Sequence, residues 1–555
     1  MYMCGIFCIL NNNSITPEMK EGFIKGTHRG PEHSVINYNE SLKFTLGFHR
    51  LAINGLNVQS NQPIEQSGII VICNGEIYNY KELYKKNNIT PITDSDCEAI
   101  IHMYLLYGME YTLNALDGVF AFILIDTLNN VCFAARDPFG VRPLYTTYHD
   151  TLVDDSVIEF ASELKQLRGD ISKDKHISSF PPGSYQELYF ENNKWFPKCP
   201  IVRYHNFSFL TICQEPEMYQ KGICYYLNEA VKKRTLVTER PVACLLSGGL
   251  DSSLIAALVK KHYNGVLETY SIGLPGSEDL KYAELVANHI GSKHTSIQVT
   301  EEEFFDAIPD VIRDIESYDT TTVRASVGNW LIGKYISENS EAKVIFNGDG
   351  ADELMGGYLY FNKAPNSTEF DCECKRLLKE IYRYDVLRSD KCISSHGLEP
   401  RTPFLDRGWV QYYLSIPSNI RFHINHNAAE LNNCEKFLTR MSIARQLPSL
   451  LPDEVLWRTK EAFSDGVSSL TKSWYEIIQE RVNFLNIDKT YEKLSYDHNN
   501  PTTPEQKYYR HIFEKIYKGN GNIIPHFWMP NYVNASDASA RTLSFYNICG
   551  TKTQI

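Results

Sequence analysis

From residue 218 onward the chain alternates short apolar runs with amphipathic helical stretches, and this alternation admits few folds. Residues 218–234 have helical periodicity, 242–246 read as a buried strand, and 252–262 as a helix. The alternation continues with a strand at 267–272, a helix at 280–291, a strand at 293–299, a helix at 326–338 and a strand at 343–346. Strands separated by helices cannot pair through tight hairpins, so they return by crossovers and lie parallel. The expected fold of this half is α/β, a doubly wound parallel sheet, followed beyond residue 376 by a mostly helical part.

The first 200 residues follow a different period. Residues 69–73 form an apolar run that ends in Asn74-Gly75, a turn signal, and 119–126 and 131–136 are strand-like runs joined by a turn at Asn129-Asn130. Ser95 and Asp96 precede a helical pattern over 97–107 that is expected to close at Gly108. Strands carrying a few helices predict an α+β layered domain. Pro181-Pro182-Gly183, Pro197 and Pro200 interrupt the pattern over 180–215, as a crossing between domains does.

Composition excludes several classes. A chain of 555 residues is too long for one core. Its net charge of −12, from 55 Lys and Arg against 67 Asp and Glu, argues against nucleic acid as a partner. No run approaches the ~18 apolar residues of a membrane span, and the amino terminus lacks the pattern of a signal peptide. Fourteen cysteines without a C-x-x-C pair make neither a disulfide scaffold nor a zinc site, and Cys372 with Cys374 is poorly spaced for zinc. A cytoplasmic protein is expected.

The strongest motif is Ser247-Gly248-Gly249-Leu250-Asp251-Ser252-Ser253, between a strand and a helix. Paired glycines let backbone N–H groups approach an anion, and the helix N-terminus adds its positive end. Phosphate would repel Asp251 unless a cation bridges them, which points to Mg²⁺. The alternative reading is a Gly-rich turn with a serine cap. Gly328 to Tyr335 nearly matches a P-loop, but Tyr335 replaces the metal-binding hydroxyl and no strand precedes it, so packing is the better reading. A second loop, Asn347-Gly348-Asp349-Gly350-Ala351-Asp352-Glu353, follows another strand with three carboxylates, suited to Mg²⁺ or acid–base work. Lys460 and Arg324 are open between a phosphate contact and ordinary structural or surface positions.

At the other end, Cys4 follows Met1-Tyr2-Met3. A cysteine at a free amino terminus carries its own base, an α-amine of pKa near ~7.7–8. Asn74-Gly75 offers an amide and a backbone N–H to an oxyanion, and Arg50 and Asp96 suit the α-carboxylate and α-ammonium of an amino acid.

Taken in order, these motifs resemble the glutamine-hydrolysing asparagine synthetase family over nearly the whole chain. The resemblance rests on Cys4-Gly-Ile, His28-Arg29-Gly30-Pro31, His49-Arg50-Leu51, Asn74-Gly75-Glu76, Ser95-Asp96, Arg136-Asp137-Pro-Phe-Gly140, the 247–253 loop, 271–275, 318–324, 348–358, Pro403-Phe-Leu-Asp406 and 460–466. It implies an Ntn-hydrolase-like glutaminase domain of αββα layers at 4–205, an α/β synthetase domain of PP-loop type at 215–530, and a polar tail at 531–555. It implies Cys4 as nucleophile, Asn74 and Gly75 as oxyanion hole, and Arg50, Leu51, Glu76 and Asp96 around glutamine. Leu246, Ser247, Gly248, Gly249, Asp251, Ser252, Ile272, Asn347, Gly348 and Lys460 would bind ATP, with Asp251 and Asp352 on Mg²⁺. The implied reaction forms asparagine from aspartate and glutamine through β-aspartyl-AMP, and a homodimer is implied.

Two departures stand out. Three residues precede Cys4, so initiation at Met3 or cleavage of three residues is expected. An ammonia-only or regulatory protein is the alternative if Cys4 stays blocked. The family's Ser-Gly-Glu-Gly loop is here Asn347-Gly348-Asp349-Gly350, with the acid one methylene shorter. Sugar-phosphate and phosphoribosyl amidotransferases lack the 247–253 loop, and β-lactam-synthetase-like enzymes lack the working Cys.

Overall fold

The structure is a computed structural model describing residues 4–149, 157–167, 175–207, 209–424, 434–461, 463–468, 472–487 and 495–543. Alternation along the first strand, Gly5–Leu10, already sets the layering of the first half. Ile6, Cys8 and Leu10 point into a core shared with Ile72, Ile123 and Cys132 of a second sheet. Phe7 and Ile9 point the other way, onto Met19 and Phe23 of the helix Pro17–Ile24. On the outer face of the second sheet, Val71 and Cys73 meet Ala99, Ile100 and Met103 of the helix Glu98–Ala115. The result is two antiparallel sheets between helical layers, as expected. In the first sheet Gly5–Leu10 lies between Phe44–Arg50 and Ile158–Ala161, and in the second Gly118–Asp126 lies between Ile69–Ile77 and Val131–Arg136.

Three local expectations are corrected. Asn74-Gly75 is not a turn: the strand runs through it to Ile77, with Asn74 opposite Ala121 and Gly75 opposite Phe120. Gly75 is there because its neighbour strand is close; a Cβ would lie 2.2 Å from Val119 O. Gly108 breaks the helix at φ +77° without ending it, and the helical run resumes to Ala115. Pro181-Pro182-Gly183 leads into the strand Ser184–Glu191, which pairs with Val131–Arg136, so this turn is internal to the first half. The second sheet closes with Val202–Arg203, and the helix Pro216–Leu236 opens the second half.

The second half is a five-stranded parallel sheet, ordered Lys293–Gln298, Glu268–Gly273, Val242–Leu245, Val344–Phe346, Glu399–Arg401. Four of these strands lie where periodicity put them; the edge strand Glu399–Arg401 was not anticipated. The chain order reverses between Val242–Leu245 and Val344–Phe346. In such sheets ligands bind at that switch point, beyond the carboxyl ends of the strands. Both Gly-rich loops leave the sheet there.

The halves meet through buried charge. Arg29 Nη1 lies 2.6 Å from Glu163 Oε1 and 2.9 Å from Asp390 Oδ2, while its Nε donates to the Cys4 carbonyl at 2.9 Å. Arg142 Nη1 lies 3.3 Å from Asp390 Oδ1. Lys391 Nζ pairs with Glu316 and lies 3.4 Å from Glu163 Oε2. Every one of these side chains is essentially inaccessible to solvent.

Candidate active sites

The loop after Val242–Leu245 turns sharply into the helix Leu250–His262. Gly248 sits at φ +71°, where a Cβ would come within 2.5 Å of the Tyr282 and Ala283 backbone, so only glycine fits. The hydroxyls of Ser247 and Ser252 are 3.0 Å apart, and Ser247 N–H donates to Ser252 Oγ at 3.2 Å. The second loop crosses directly beside the first: a Cβ on Gly348 would lie 2.9 Å from Asp251 Cβ. Leu246, Ser247, Gly249, Asp251, Ser252, Ile272, Asn347, Gly348, Asp349, Asp352 and Lys460 line one cleft. Gly248 lies behind it, setting the loop on the helix Glu278–Ile290.

Charge is concentrated at the mouth of that loop. Lys436 Nζ lies 2.5 Å from Asp251 Oδ2 and 2.5 Å from Asp352 Oδ1. Lys460 Nζ lies 2.7 Å from Asp352 Oδ2 and 4.0 Å from Asp251 Oδ2. Burial alone would raise the Asp352 carboxyl, but the two ammonium groups outweigh it and hold it well below the usual carboxylate range. Burial likewise opposes the Lys460 charge, yet Asp352 and Asp251 raise its ammonium above the ordinary lysine value.

Asp349 stands apart from this set. Its Oδ1 accepts from Arg388 Nη2 at 3.2 Å, and its Oδ2 is buried with no hydrogen-bond partner among the described residues. Burial raises its carboxyl; Arg388 opposes the shift and Asp385 adds to it. Asn347 donates from Nδ2 to Ser389 Oγ at 2.6 Å and accepts from Asp349 N–H at 3.3 Å. Arg324 is turned elsewhere, its guanidinium held by Glu505 at 2.6 Å and Asp537 at 2.6 Å. The near-P-loop lies inside the helix Thr320–Asn339 with Gly328 and Gly333 buried, as the packing reading expects.

In the first half, Cys4 Sγ lies 3.4 Å from both the carbonyl and the N–H of Leu51. Burial pushes the thiol up to about 12, only partly opposed by the Leu51 hydrogen bond and the Arg50 charge. A thiol held protonated at neutral pH needs a local base before it can attack. The Asn74 side chain is fully buried, yet neither its Nδ2 nor its Oδ1 has a partner among the described residues. An unsatisfied buried group costs ~1–3 kcal/mol, so such an amide calls for a partner from outside the chain. Arg50 donates to carbonyl oxygens, including Asn57 O at 2.9 Å and Asn61 Oδ1 at 2.5 Å, which leaves its charge uncompensated by any ion pair among the described residues. Asp96 accepts from Ile77 N–H at 2.6 Å, and burial raises its carboxyl to about 6 despite that bond. Glu76 accepts from Asn54 Nδ2 at 2.5 Å and lies 3.6 Å from Arg401 Nη2 of the other half. Met1 to Met3, and with them the exposure of Cys4, lie outside the described residues.

Two family models match this chain. A glutamine amidotransferase domain model matches residues 3–199, and an asparagine synthase model matches 223–372 and 363–520. The asparagine synthetase [glutamine-hydrolyzing] of Gallus gallus is 41% identical over 572 residues, covering 98% of this chain and 99% of its own length. The Homo sapiens enzyme of that name is 40% identical over 570 residues with the same coverage. This chain belongs to the glutamine-hydrolysing asparagine synthetase family. Within that frame the structure adds residues that sequence reasoning missed. Lys436 bridges the two cleft carboxylates; Arg388 and Ser389, on the helix Asp385–Ser394, support the Asp349 loop. Lys436 carried no motif, and its only local mark is a backbone φ of +59° just before the helix Phe437–Gln446.

Proposed function

We propose that the enzyme makes asparagine from aspartate, glutamine and ATP with the roles below, at two sites on one chain. The observation that carries this reading is the set Asp251, Asp352, Lys436 and Lys460 at the mouth of an anion-binding loop. The loop amides, Ser247, Ser252 and Lys460 hold the phosphates, and Leu246, Ile272 and Gly348 flank the base. The donor set suits Mg²⁺, which is commonly held by one or two carboxylates plus substrate phosphates; Asp251 Oδ1 has no hydrogen-bond partner among the described residues, and the Lys436 ammonium already lies between the carboxylates. Bound by Asp251 and Asp352, the ion would offset charge on the departing pyrophosphate. The β-carboxylate of aspartate attacks the α-phosphorus, the bond to the β-phosphate breaks, and pyrophosphate leaves. Ammonia then attacks the acyl carbon of β-aspartyl-AMP, Asp349 Oδ2 takes a proton, and AMP departs.

The first half supplies that ammonia. Cys4 Sγ attacks the side-chain amide of glutamine, its proton passing through the freed α-amine to the leaving nitrogen. Asn74 and Gly75 hold the oxyanion, and water releases glutamate from the thioester. Arg50 receives the α-carboxylate and Asp96 the α-ammonium, with Leu51 and Glu76 completing the pocket. We divide the chain into 4–205, 215–530 and 531–555. The cysteines of the described residues are free thiols, as fits the cytoplasmic placement proposed here; no helix among those residues is long and apolar enough to cross a membrane. A homodimer rests on the family alone.

Two results test these roles. Asp251→Asn is expected to lower synthesis from both ammonium and glutamine by about 10²-fold or more while glutamine hydrolysis persists; synthesis within tenfold of wild type would refute the assignment. The Asp96 carboxyl, raised to about 6 by burial, must be ionised to bind an ammonium, so protonation should weaken glutamine binding. Glutaminase kcat/KM should therefore fall as pH drops through about 6, and Asp96→Asn should be slow throughout with that limb removed. A profile unchanged in shape by the substitution would rule out Asp96 as the titrating group.

A further inference from the structure

A second cavity shares Thr321, Asp385, Arg388 and Lys460 with the nucleotide cleft and so opens directly beside it. Part of its wall is the C-terminal segment, through Trp528, Ser539 and Leu543. Asp465 also lines it and is only 1% exposed. Its Oδ1 accepts from Ser539 Oγ at 3.1 Å, whereas its Oδ2 is buried with no hydrogen-bond partner among the described residues. Arg541 Nη2 donates to the Asp465 carbonyl at 3.1 Å and to Glu461 Oε1 at 2.7 Å, which ties the C-terminal segment to the loop that carries Lys460. Of the acids lining the second cavity, the other one, Asp385, is engaged, 2.5 Å from Arg388 Nη2; Asp349 and Asp352 line only the nucleotide cleft, where Asp352 lies 2.7 Å from Lys460 Nζ.

A buried carboxylate oxygen without a partner is costly unless a cation or a donor meets it. The acceptor amino acid must present its β-carboxylate toward the α-phosphate in the cleft, which leaves its α-ammonium, the one cation it carries, for the adjoining cavity. We propose that Asp465, clamped by the C-terminal segment, receives the α-ammonium of the acceptor aspartate. This rests on the reading that the second half adenylates aspartate. Thr321 Oγ1, also buried and without a hydrogen-bond partner among the described residues, lines the same space and offers a further polar contact. Burial holds the Asp465 carboxyl up to about 6, with Arg541 and the Ser539 bond opposing, as fits an acid not yet matched by a counter-charge.

The test is ammonium-dependent synthesis by the full chain, with aspartate and ATP each titrated, glutaminase followed in parallel, and succinate, which lacks the ammonium, as competitor. Asp465→Asn should raise the aspartate KM by about tenfold or more, the size of one charge-assisted contact. The ATP KM and glutaminase should stay within about twofold, and the preference for aspartate over succinate should shrink with the aspartate KM. Arg541→Gln, which loosens the clamp, should shift the aspartate KM in the same direction by less, and Arg541→Lys should restore part of it. An aspartate KM and a succinate discrimination within twofold of wild type in Asp465→Asn would overturn the proposal. Should that variant lose glutaminase as well, and so its fold, the Arg541 pair decides by the same two readouts. Failure of the wild type to form asparagine from aspartate, ammonium and ATP would instead refute the parent reading.

Discussion

Cys4→Ala should abolish asparagine formation from glutamine, by about 10³-fold or more, and leave formation from ammonium within about twofold of wild type. The asymmetry follows from where the thiol sits. Its hydrogen-bond contacts are the carbonyl and N–H of one residue, Leu51, at 3.4 Å, and it packs at the edge of two core clusters, so truncation to alanine removes the nucleophile and a single sulfur from that edge. The charged set of the second half is held by Asp251, Asp352, Lys436 and Lys460 and does not involve Cys4. Side-by-side rates with saturating glutamine and saturating ammonium check this directly. Loss of ammonium-dependent synthesis in a folded Cys4→Ala protein would remove the assignment of separate sites.

Asp349→Ala should slow asparagine formation by about 10²-fold, while formation of the adenylate, read as ATP–pyrophosphate exchange, changes only a few-fold. The expectation rests on Asp349 Oδ2, a buried oxygen with no hydrogen-bond partner among the described residues, on a carboxyl whose proton affinity burial raises. The family resemblance implies a longer acid here, and one methylene moves a carboxylate by ~1.5 Å. Asn347 braces this loop: its Nδ2 donates to Ser389 Oγ at 2.6 Å and its Oδ1 accepts from Asp349 N–H at 3.3 Å, so a longer acid is expected to need a change at Asn347 as well. Asp349→Glu alone should therefore fail to improve the enzyme, and Asn347→Ser with Asp349→Glu should recover what that single change loses. Purely additive effects across the cycle would show the two positions to be uncoupled.

What the sequence disclosed and what it hid divide by range along the chain. The 247–253 loop was legible because its strand, glycines and helix are consecutive, and Asp251 and Asp352 followed from their loops. Asn74-Gly75 was misread as a turn because the demand for glycine there comes from Val119, on the paired strand. Glu399–Arg401 is a strand of three residues containing a proline, too short for any period to register. Lys436 lies 185 residues from the Asp251 it pairs with, and a lone lysine announces nothing about a partner that distant. Asp465 sat inside a motif tied to Lys460, but an oxygen left without a partner among the described residues is visible only once the C-terminal segment is folded over it.

The ion pairs between the halves carry a consequence for how this protein can be taken apart. Arg29, Glu163, Arg142, Asp390, Lys391 and Glu316 form one water-excluded network to which both halves contribute. Stripping one side from such a network leaves desolvated charge behind, at ~3–5 kcal/mol per broken pair. Neither half is then a portable module in the sense that a linker-joined domain is. A chimera that grafts a foreign ammonia-producing half onto this synthetase inherits the graft's charges at positions 29, 142 and 163, which must match the signs at 316, 390 and 391. Any single sign change among these six positions strands a buried charge that only a matching change at its partner can offset.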